Sequence, residues 1–407
     1  MIQPFIGEFM FHPAFLEFSG NTCDHNCVYC FANIRKSKRE LQLKSIIKQI
    51  NKREIKTYTD ALLSEGYPIC MSNKSDPFSK SNYLSSIALG YEFTKIKNGL
   101  FIQTKGGAGI DEFIKATNFK KNIVWYITIT TLNDTIRKRI EPFAPTTEER
   151  FDLAKRLKKM GYHVVLAINP IFEAWMSEKD LLRFIKIAKE IGITHVVTEA
   201  LHLNKREVEM FSEGRRNAFT PEEIEYSSNK KSFQTYVKKI LPILIENGIS
   251  TVKLGMPYKT DFYEPMKKVF GHISPNQYEI INFAHKNGTG VYSFDKFYEL
   301  TVDNKQFFER RIKATNSYLV KSNIHAWSED EEAKQCFTLK DVMRKHWNNN
   351  KYPQSMRRNQ AFRTVVDDRN EPIKDSNQNI LLYFDYGLYP TERIINQKNC
   401  KDEKGSC

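Results

Sequence analysis

Short apolar segments alternate with amphipathic segments along the first two thirds of the chain. This alternation is the pattern of a parallel β-sheet whose strands are connected by crossover helices. The apolar segments predict strands at residues 16–19, 68–72, 100–105, 123–130, 164–170, 195–201 and 251–254. The expected fold class is therefore α/β.

Two of the intervening helices have clear start signals. Thr146 is a hydroxyl cap for a helix over residues 146–160, which has acidic residues in its first turn, basic residues in its last turn and Gly161 beyond its end. Thr220 caps another helix, because Pro221 suits the first helical position and Glu223 completes a capping box. Functional groups of parallel α/β proteins lie at the carboxyl ends of the strands, so the residues that follow each strand are the first site candidates.

The alternation of strands and helices ends near residue 266, where aromatic, basic and Asn-rich segments replace it. We therefore expect a core domain over residues 1–265 and a C-terminal α+β extension over residues 266–395, with residues 396–407 as a flexible tail. The extension is a candidate substrate-binding region.

The net charge of the chain is +14, from 62 Lys and Arg residues against 48 Asp and Glu residues. A surface with this excess attracts polyanions such as DNA or RNA. In the basic segment 337–370, Trp347, Tyr352 and Phe362 could stack on bases, or they could be core aromatics beneath a solvated surface. A lysine-rich proteome with AT-biased codons would produce the same charge, so the composition leaves nucleic acid as one partner class to test.

Three of the seven cysteines lie in one segment, SGNTCDHNCVYCFAN, with C-x3-C-x2-C spacing at Cys23, Cys27 and Cys30. A [4Fe–4S] cluster takes one thiolate per iron, so three cysteines leave one iron open to another ligand. The alternative is a structural zinc site with His25 or Cys70 as the fourth ligand. Zinc sites usually combine two separate cysteine hooks, and the sequence has no second hook. The spacing therefore favours the cluster.

The few, clustered cysteines predict a reducing compartment. No apolar run approaches the length of a membrane span, and the N-terminal residues lack the basic region and cleavage site of a signal peptide. We therefore expect a cytoplasmic protein.

The cysteine segment resembles the iron–sulfur loop of the radical S-adenosylmethionine (radical SAM) superfamily. Together with SDPFS, AINPIF and the EP-x-AP segment around Glu141, Pro142 and Arg150, it is similar to the group that contains spore photoproduct lyase and DNA-repair-photolyase-like proteins. The resemblance covers residues 14–200. It implies a partial (β/α)6 parallel barrel, with the cysteine loop following the first strand.

The resemblance also implies an activity. The open iron would bind the amino and carboxylate groups of S-adenosylmethionine, and an electron from the reduced cluster would cleave this cofactor to a 5′-deoxyadenosyl radical that abstracts hydrogen from a substrate. Nucleic acid or a nucleotide is the expected substrate, in a photolyase-like repair or modification, and flavodoxin or ferredoxin is the expected kind of electron donor. Radical modification of a small molecule or peptide is one alternative. A non-catalytic, metal-stabilised nucleic-acid-binding protein is another.

Carried over residue by residue, the resemblance assigns Cys23, Cys27 and Cys30 to the cluster, and Tyr29 and Phe31 to the flank of the cofactor. Phe31 stands where the group commonly has tyrosine. The polar turn after the second strand could hold the methionine ammonium group, and further contacts are expected after the third, fourth and fifth strands. An ordinary turn, a solvated lysine and β-branched strand residues are the structural alternatives. The cofactor-binding candidates outside the cysteine loop are Ser72, Ser75, Asp76, Lys105, Thr128, Thr130 and Asn169.

Cys70 has two interpretations. Spore photoproduct lyase has a cysteine two residues before a cofactor-contacting serine, and this cysteine returns a hydrogen atom to the product radical. The sequence Cys70-Met71-Ser72 has the same spacing, which makes Cys70 a candidate hydrogen donor. A lone cysteine on a buried strand is otherwise a small hydrophobic residue.

Overall fold

The computed structural model describes most of the predicted core and parts of the C-terminal region. The described residues are 3–4, 16–17, 23–30, 43–52, 54, 60, 63–64, 66, 69–71, 75–198, 201, 205–209, 213–228, 230–251, 289–302, 305–313, 336–349 and 362–384.

A sheet of eight strands, paired in chain order, is the centre of the fold. Its strands are β1 (Gln3–Pro4), β2 (Leu16–Glu17), β3 (Ile69–Cys70), β4 (Leu100–Thr104), β5 (Ile123–Thr128), β6 (His163–Ile168), β7 (His195–Thr198) and β8 (Ser250–Thr251). Every pairing from β2 to β8 is parallel. This sequential order is that of a β/α barrel and differs from a doubly wound sheet, in which the strand order reverses.

A strand is described at each predicted position, and each covers fewer residues than predicted. In β4 and β5 the described chain leaves the sheet before the polar residues Lys105 and Thr130. The central strand β5 is buried along its whole length, as expected for a parallel strand covered on both faces. Trp125 of β5 stacks on Phe78 at 5.8 Å between ring centroids and meets the edge of Phe113 at 6.1 Å. These aromatic contacts fasten the helical layer to the sheet.

Helices lie between the strands. They are α1 (Leu43–Ile50), α2 (Tyr83–Phe93), α3 (Ile110–Ala116), α4 (Asp134–Ile140), α5 (Thr147–Lys159), α6 (Glu178–Ile191), α7 (Lys205–Glu209), α8 (Glu213–Arg216), α9 (Pro221–Ser228) and α10 (Lys230–Glu246). Among the described helices, none has both the length and the apolar character needed to cross a bilayer.

The two predicted helix starts are confirmed. Thr146 caps α5 in a capping box with Glu149. At α9, the Glu223 amide donates to Thr220 Oγ1 at 3.2 Å, and the Thr220 amide donates to Glu223 Oε2 at 2.8 Å. Local sequence therefore sets where these helices begin, because a cap is satisfied within one turn.

The chain divides into two compact units. The first contains Met1–Gln3, Phe15–Arg53 and Gly66–Gly271, and the second contains Pro4–Ala14, Glu54–Glu65 and His272–Cys407. The expected domain boundaries at 265/266 and 395/396 stay predictions.

The second unit is α+β, and the predicted fold class, a partial (β/α)6 parallel barrel with a C-terminal α+β extension, is confirmed. Its described elements are β9 (Gly290–Tyr292), α11 (Phe294–Thr301), α12 (Lys305–Phe308), β10 (Ile312–Lys313), β11 (Cys336–Phe337), α13 (Leu339–Asn348), β12 (Phe362–Thr364) and β13 (Leu382–Phe384). Strands β12, β13 and β9 form an antiparallel sheet, and β10 pairs with β11.

Aromatic side chains form the core of the second unit. Trp347 is buried, packs on Phe297 at 5.0 Å and donates its indole N–H to the Ile380 carbonyl at 2.6 Å. Phe362 is buried against Phe384 at 4.6 Å. The interpretation of Trp347 and Phe362 as core aromatics is therefore confirmed, and base stacking by these two residues is excluded. Tyr352 lies outside the described residues.

Candidate functional site

The cysteine loop, residues 23–30, is fastened to the segment that follows β5. The Val28 amide donates to the Ile140 carbonyl at 2.9 Å, and the Phe143 amide donates to the His25 carbonyl at 3.4 Å. Asn26 is in the left-handed region with φ of 50°, which asparagine tolerates better than most residues. These contacts hold the loop at the end of α4.

The three predicted cluster ligands lie together in this loop as thiols and not as disulfides. The pKa of Cys27 is raised to about 12, mainly by burial, which Lys105 opposes and to which Glu141, Cys30 and Cys23 add. Burial, followed by the charge of Asp76, raises the pKa of Cys23 to about 11, against hydrogen bonds from the backbone N–H groups of Asp76 and His25. In the absence of metal, the loop therefore favours protonated thiols, which must lose their protons to bind a metal.

The donor set fits a three-cysteine iron–sulfur cluster. Three thiols on one loop, N–H groups at one sulfur and a nearby cation are the kinds of group that bind and tune such clusters. No three His, Cys, Asp or Glu side chains within the described ranges surround a position for a single metal ion. A three-cysteine cluster does not require three ligands around one ion, because each thiolate binds a different iron.

A buried carboxylate, Glu141, lies behind the cysteine loop. Glu141 Oε1 accepts hydrogen bonds from the Tyr29 hydroxyl and from Thr130 Oγ1, the latter at 2.7 Å. Glu141 Oε2 accepts from Arg150 Nη2 at 2.5 Å, and Lys105 Nζ lies 3.8 Å from Oε1. One carboxylate thus connects the loop to residues that follow β4 and β5.

The charge of Glu141 is well compensated. Burial raises the pKa of Glu141, but Arg150, Lys105 and the two hydroxyl donors outweigh it and lower the pKa to about 2. Arg150 also donates to the Thr128 carbonyl at 3.1 Å and the Pro145 carbonyl at 2.9 Å. A buried ion pair with such additional hydrogen bonds is costly to break by removing one partner.

The Tyr29 ring is held on two sides. Lys105 Nζ lies 5.5 Å from its centroid, and Trp175 packs against it at 5.5 Å between centroids. The Trp175 indole donates to Glu223 Oε1 at 2.5 Å, and Arg139 forms a two-bond ion pair with Glu223 at 2.6 and 2.7 Å. The orientation of Tyr29 therefore depends on residues from distant parts of the chain.

Asp76 connects its turn to the cysteine loop and to the end of β4. Its Oδ1 accepts from the Phe78 amide at 2.9 Å and from Thr104 Oγ1 at 2.7 Å. Its Oδ2 accepts from the Lys105 amide at 2.7 Å and lies 3.2 Å from His25 Nε2. Burial raises the pKa of Asp76, but His25 and the two amides lower it overall. These contacts are those of a structured turn, and the cofactor-binding role of Asp76 stays a prediction.

The loop after Lys105 passes close to this turn. Gly107 has φ of 150°, and a Cβ atom at this position would lie 2.0 Å from the Phe78 carbonyl oxygen. The Ala108 amide donates to the same carbonyl at 3.1 Å. Only glycine allows this approach of the two backbones.

The structure brings together several of the predicted site residues. Tyr29, Lys105 and Thr130 converge on Glu141, whereas Thr128 contributes its backbone carbonyl to Arg150. Lys105, Thr128 and Thr130 end or follow the parallel strands β4 and β5, so they lie at the same edge of the sheet.

The remaining candidates are more dispersed. Ser75 is half-buried in the turn before Asp76, Asn169 is half-buried directly after β6, and Cys70 is buried at the end of β3. Phe31 and Ser72 lie outside the described residues.

A cavity of about 940 Å³ opens beside the cysteine loop. Its lining includes His25 of the loop, Lys105, Lys80 and Arg156, and the ring of Phe143, which is 69% exposed. Asp24 and Glu149 also line it, so the cavity combines an aromatic surface with groups of both charges.

The sequence alone assigns no structural role to Glu141 and Arg150, which are only part of the motif that resembles the family. The sequence signal for their ion pair is the presence of an acidic and a basic residue in the EP-x-AP-x-x-x-x-R segment. The sequence predicts only a helix-capping role for Glu223, whose ion-pair partner Arg139 lies 84 residues away. No local sequence pattern predicts an ion pair between residues so far apart.

Comparison with known proteins shows a similarity over the first part of the chain. Residues 18–174 match the model of the Radical SAM superfamily. An uncharacterized protein, ORF301 of Acidianus two-tailed virus, is 24% identical over 194 residues, which are 44% of this chain. The chain spans 64% of the length of that relative.

Two solved structures are similar to parts of the chain. Streptococcus suis SuiB bound to S-adenosylmethionine has 11% identity and a TM-score of 0.40, over 65% of this chain and 54% of SuiB. Spore photoproduct lyase complexed with dinucleoside spore photoproduct has 14% identity and a TM-score of 0.37, over 56% of this chain and 73% of the lyase. The family-model match covers the cysteine loop and β4 to β6, so this part of the chain is similar to the radical SAM superfamily.

Proposed function

We propose that this protein is a radical SAM enzyme in which Cys23, Cys27 and Cys30 hold a [4Fe–4S] cluster and the open iron binds S-adenosylmethionine. The observation that carries the proposal is the cysteine loop. Its three thiols are free, and its Tyr29 hydroxyl bonds to Glu141, where Thr130 and Lys105 also meet. When bound, the cluster and the cofactor supply reductive cleavage to a 5′-deoxyadenosyl radical, which abstracts a hydrogen atom from the substrate.

The residues around Glu141 position the groups that would face the cofactor. Lys105 is 16% exposed at its side chain. Burial lowers its pKa, but the charges of the Cys27 thiolate and of Glu141 more than compensate, so the pKa is raised and the ammonium group stays charged. A fixed ammonium group is a suitable partner for the cofactor carboxylate. Tyr29 and Thr130, both bonded to Glu141, have restricted orientations for the same reason.

An apolar cluster packs against the cysteine loop. Cys27 and Tyr29 pack with Phe172, Trp175 and Phe219, all of them buried. Apolar packing of this kind excludes water from a reactive site. This protection suits radical chemistry, because it limits side reactions.

The proposed substrate is nucleic acid or a nucleotide, for photolyase-like repair or modification. The excess positive charge of the chain supports it. So does the cavity beside the loop, where exposed Phe143 can stack on a base while Lys80 attracts phosphate. The cavity volume of about 940 Å³ also suits a small molecule or peptide, which is the second candidate substrate class. A flavodoxin or ferredoxin is the proposed electron donor.

The proposal is tested by anaerobic reconstitution with iron and sulfide, reduction with dithionite in the presence of S-adenosylmethionine, and chromatographic assay for 5′-deoxyadenosine. We expect product from the wild type and none from Cys27→Ala, which should also lose the cluster. Cys70→Ala is the matched cysteine control and should retain both the cluster and cofactor cleavage. If Cys70 is the hydrogen donor, this variant should change the products formed from the substrate.

A wild-type chain that takes up a full cluster and forms no 5′-deoxyadenosine, with DNA, RNA or small-molecule candidates, would contradict the enzyme proposal. The non-catalytic metal-stabilised nucleic-acid-binding protein would then be the better description.

A further inference from the structure

The segment between β7 and α10 packs against the cysteine loop. Val208 of α7 and Phe219 are buried in the same apolar cluster as Cys27, Val28 and Tyr29. This segment is not part of the family-model match, which ends at residue 174. The loop thus has a neighbour supplied by a later part of the chain.

Arg215 of α8 makes the polar contact between this segment and the loop. Its Nη2 donates to Oδ1 of Asn26, although the two residues are 189 positions apart in sequence. Asn26 directly precedes Cys27 and has a positive φ. The hydrogen bond therefore acts on the part of the loop whose conformation places Cys27.

The guanidinium group of Arg215 also lies in the electrostatic neighbourhood of two predicted cluster ligands. Burial lowers the pKa of Arg215, and the sulfurs of Cys30 and Cys27 act in the opposite direction. Arginine nevertheless stays charged in proteins. Because the side chain is half-buried, solvent and salt screen its charge less than that of a surface arginine.

The segment that carries Arg215 is clamped in place. Arg139 Nη1 donates to the Ala218 carbonyl at 2.5 Å, and Arg139 also forms the ion pair with Glu223. Arg139 belongs to α4, whose last residue, Ile140, accepts the hydrogen bond from the Val28 amide. The loop and the α8 segment are thus fastened to the same helix, which keeps Arg215 at a fixed place beside the loop.

We propose that Arg215 is a positioning residue that raises the reduction potential of the cluster. This inference rests on the proposed function. On reduction the cluster accepts one electron from the reductant, passing from the 2+ to the 1+ state with no bond formed or broken. A fixed positive charge beside two of its thiolates stabilises the added negative charge, and the bond to Asn26 keeps that charge in place.

The experiment separates the charge from the hydrogen bond. Arg215→Gln removes the charge and keeps an N–H donor, Arg215→Lys keeps the charge, and Arg216→Gln makes the same charge change at the exposed neighbouring residue. Each chain is reconstituted anaerobically, and its midpoint potential is measured by titration with dithionite, followed by the EPR signal of the reduced cluster. We expect a more negative midpoint for Arg215→Gln, recovery of most of the shift in Arg215→Lys, and the wild-type value for Arg216→Gln.

Asn26→Gly is the second variant, for the case in which Arg215→Gln does not assemble. Glycine accepts the positive φ of Asn26 but removes the acceptor for Arg215, so the midpoint should again become more negative. Wild-type midpoints in the Arg215→Gln and Asn26→Gly chains, at full iron content, would overturn the inference while 5′-deoxyadenosine formation left the proposed function standing. A change in cluster content without a change in midpoint would assign Arg215 a purely structural role. A wild-type chain that takes up no cluster would remove both proposals.

Discussion

At the scale of single residues, Glu141 is the most constrained charge of the described site. It is fully buried and bonded to Tyr29, Thr130 and Arg150. Removing one partner of a buried ion pair leaves the other charge uncompensated, at a typical cost of about 3–5 kcal/mol. We infer that the role of Glu141 is to hold Tyr29, Thr130 and Lys105 in fixed positions.

We predict that Glu141→Gln lowers the free energy of unfolding at neutral pH by about 3–5 kcal/mol. The folded-state pKa of about 2 lies below the ordinary value of 4.5. The stabilisation by Glu141 is therefore complete above pH 4.5 and is lost as the pH falls towards 2. Urea unfolding across this pH range, followed by tryptophan fluorescence, measures the difference between wild type and variant, which should shrink in acid.

Glu148→Gln is the matched control, because Glu148 is an exposed acidic residue in the first turn of α5. Its loss should cost less than about 1 kcal/mol. An equal loss of stability in both variants, or a difference that does not depend on pH, would contradict the role given to the Glu141 network.

At the scale of elements, the strands and caps were predictable because each depends on a local pattern. The buried run of β5 and the capping residues Thr146 and Thr220 act on their own neighbourhood. The contacts that complete the candidate site are different in kind. Arg139 with Glu223 and Arg215 with Asn26 join residues 84 and 189 positions apart, and only the folded topology brings them together. The cysteine spacing predicted the place of the site, while its supporting residues required the structure.

The close approach of two loops at Gly107 leads to a prediction for this part of the fold. Gly107→Ala should destabilise the protein by more than Gly161→Ala, although both positions have positive φ, at 150° and 81°. A Cβ at residue 107 would lie 2.0 Å from the Phe78 carbonyl oxygen, whereas residue 161 has no atom within 4 Å of such a Cβ. Backbone strain alone costs about 1–3 kcal/mol, so the excess at residue 107 measures the steric contact together with its less tolerated φ of 150°.

Thermal unfolding of the two glycine variants gives this comparison directly. Because the Gly107 loop follows Lys105, we also expect Gly107→Ala, but not Gly161→Ala, to weaken S-adenosylmethionine binding. Equal destabilisation in both variants would mean that the Phe78 turn moves aside freely, and that Asp76 does not hold it against the end of β4.

At the scale of the whole molecule, the charge of +14 has two explanations, a nucleic-acid partner or a lysine-rich proteome. The aromatic residues Trp347 and Phe362 are buried in the second unit and are therefore not available for base stacking. In the first unit, Phe143 is 69% exposed at the cavity beside the cysteine loop, where Lys80 also lies. If the substrate is nucleic acid, binding should depend on this cavity more than on the overall charge.

We therefore predict that Phe143→Ala weakens binding of single-stranded DNA by roughly 5- to 150-fold, the equivalent of about 1–3 kcal/mol of base–aromatic stacking. Tyr91→Ala removes an aromatic ring of similar exposure, 61%, from α2 and should have little effect. Lys80→Ala should reduce the slope of log affinity against log salt by about 0.7, the value of one phosphate contact on a single strand, whereas Lys155→Ala on exposed α5 surface should leave the slope unchanged. Fluorescence anisotropy of a labelled oligonucleotide at several salt concentrations measures both quantities. Equal effects of the two aromatic variants would mean that the charge acts only as a diffuse attraction, and a substrate of the small-molecule or peptide class would then fit the cavity better.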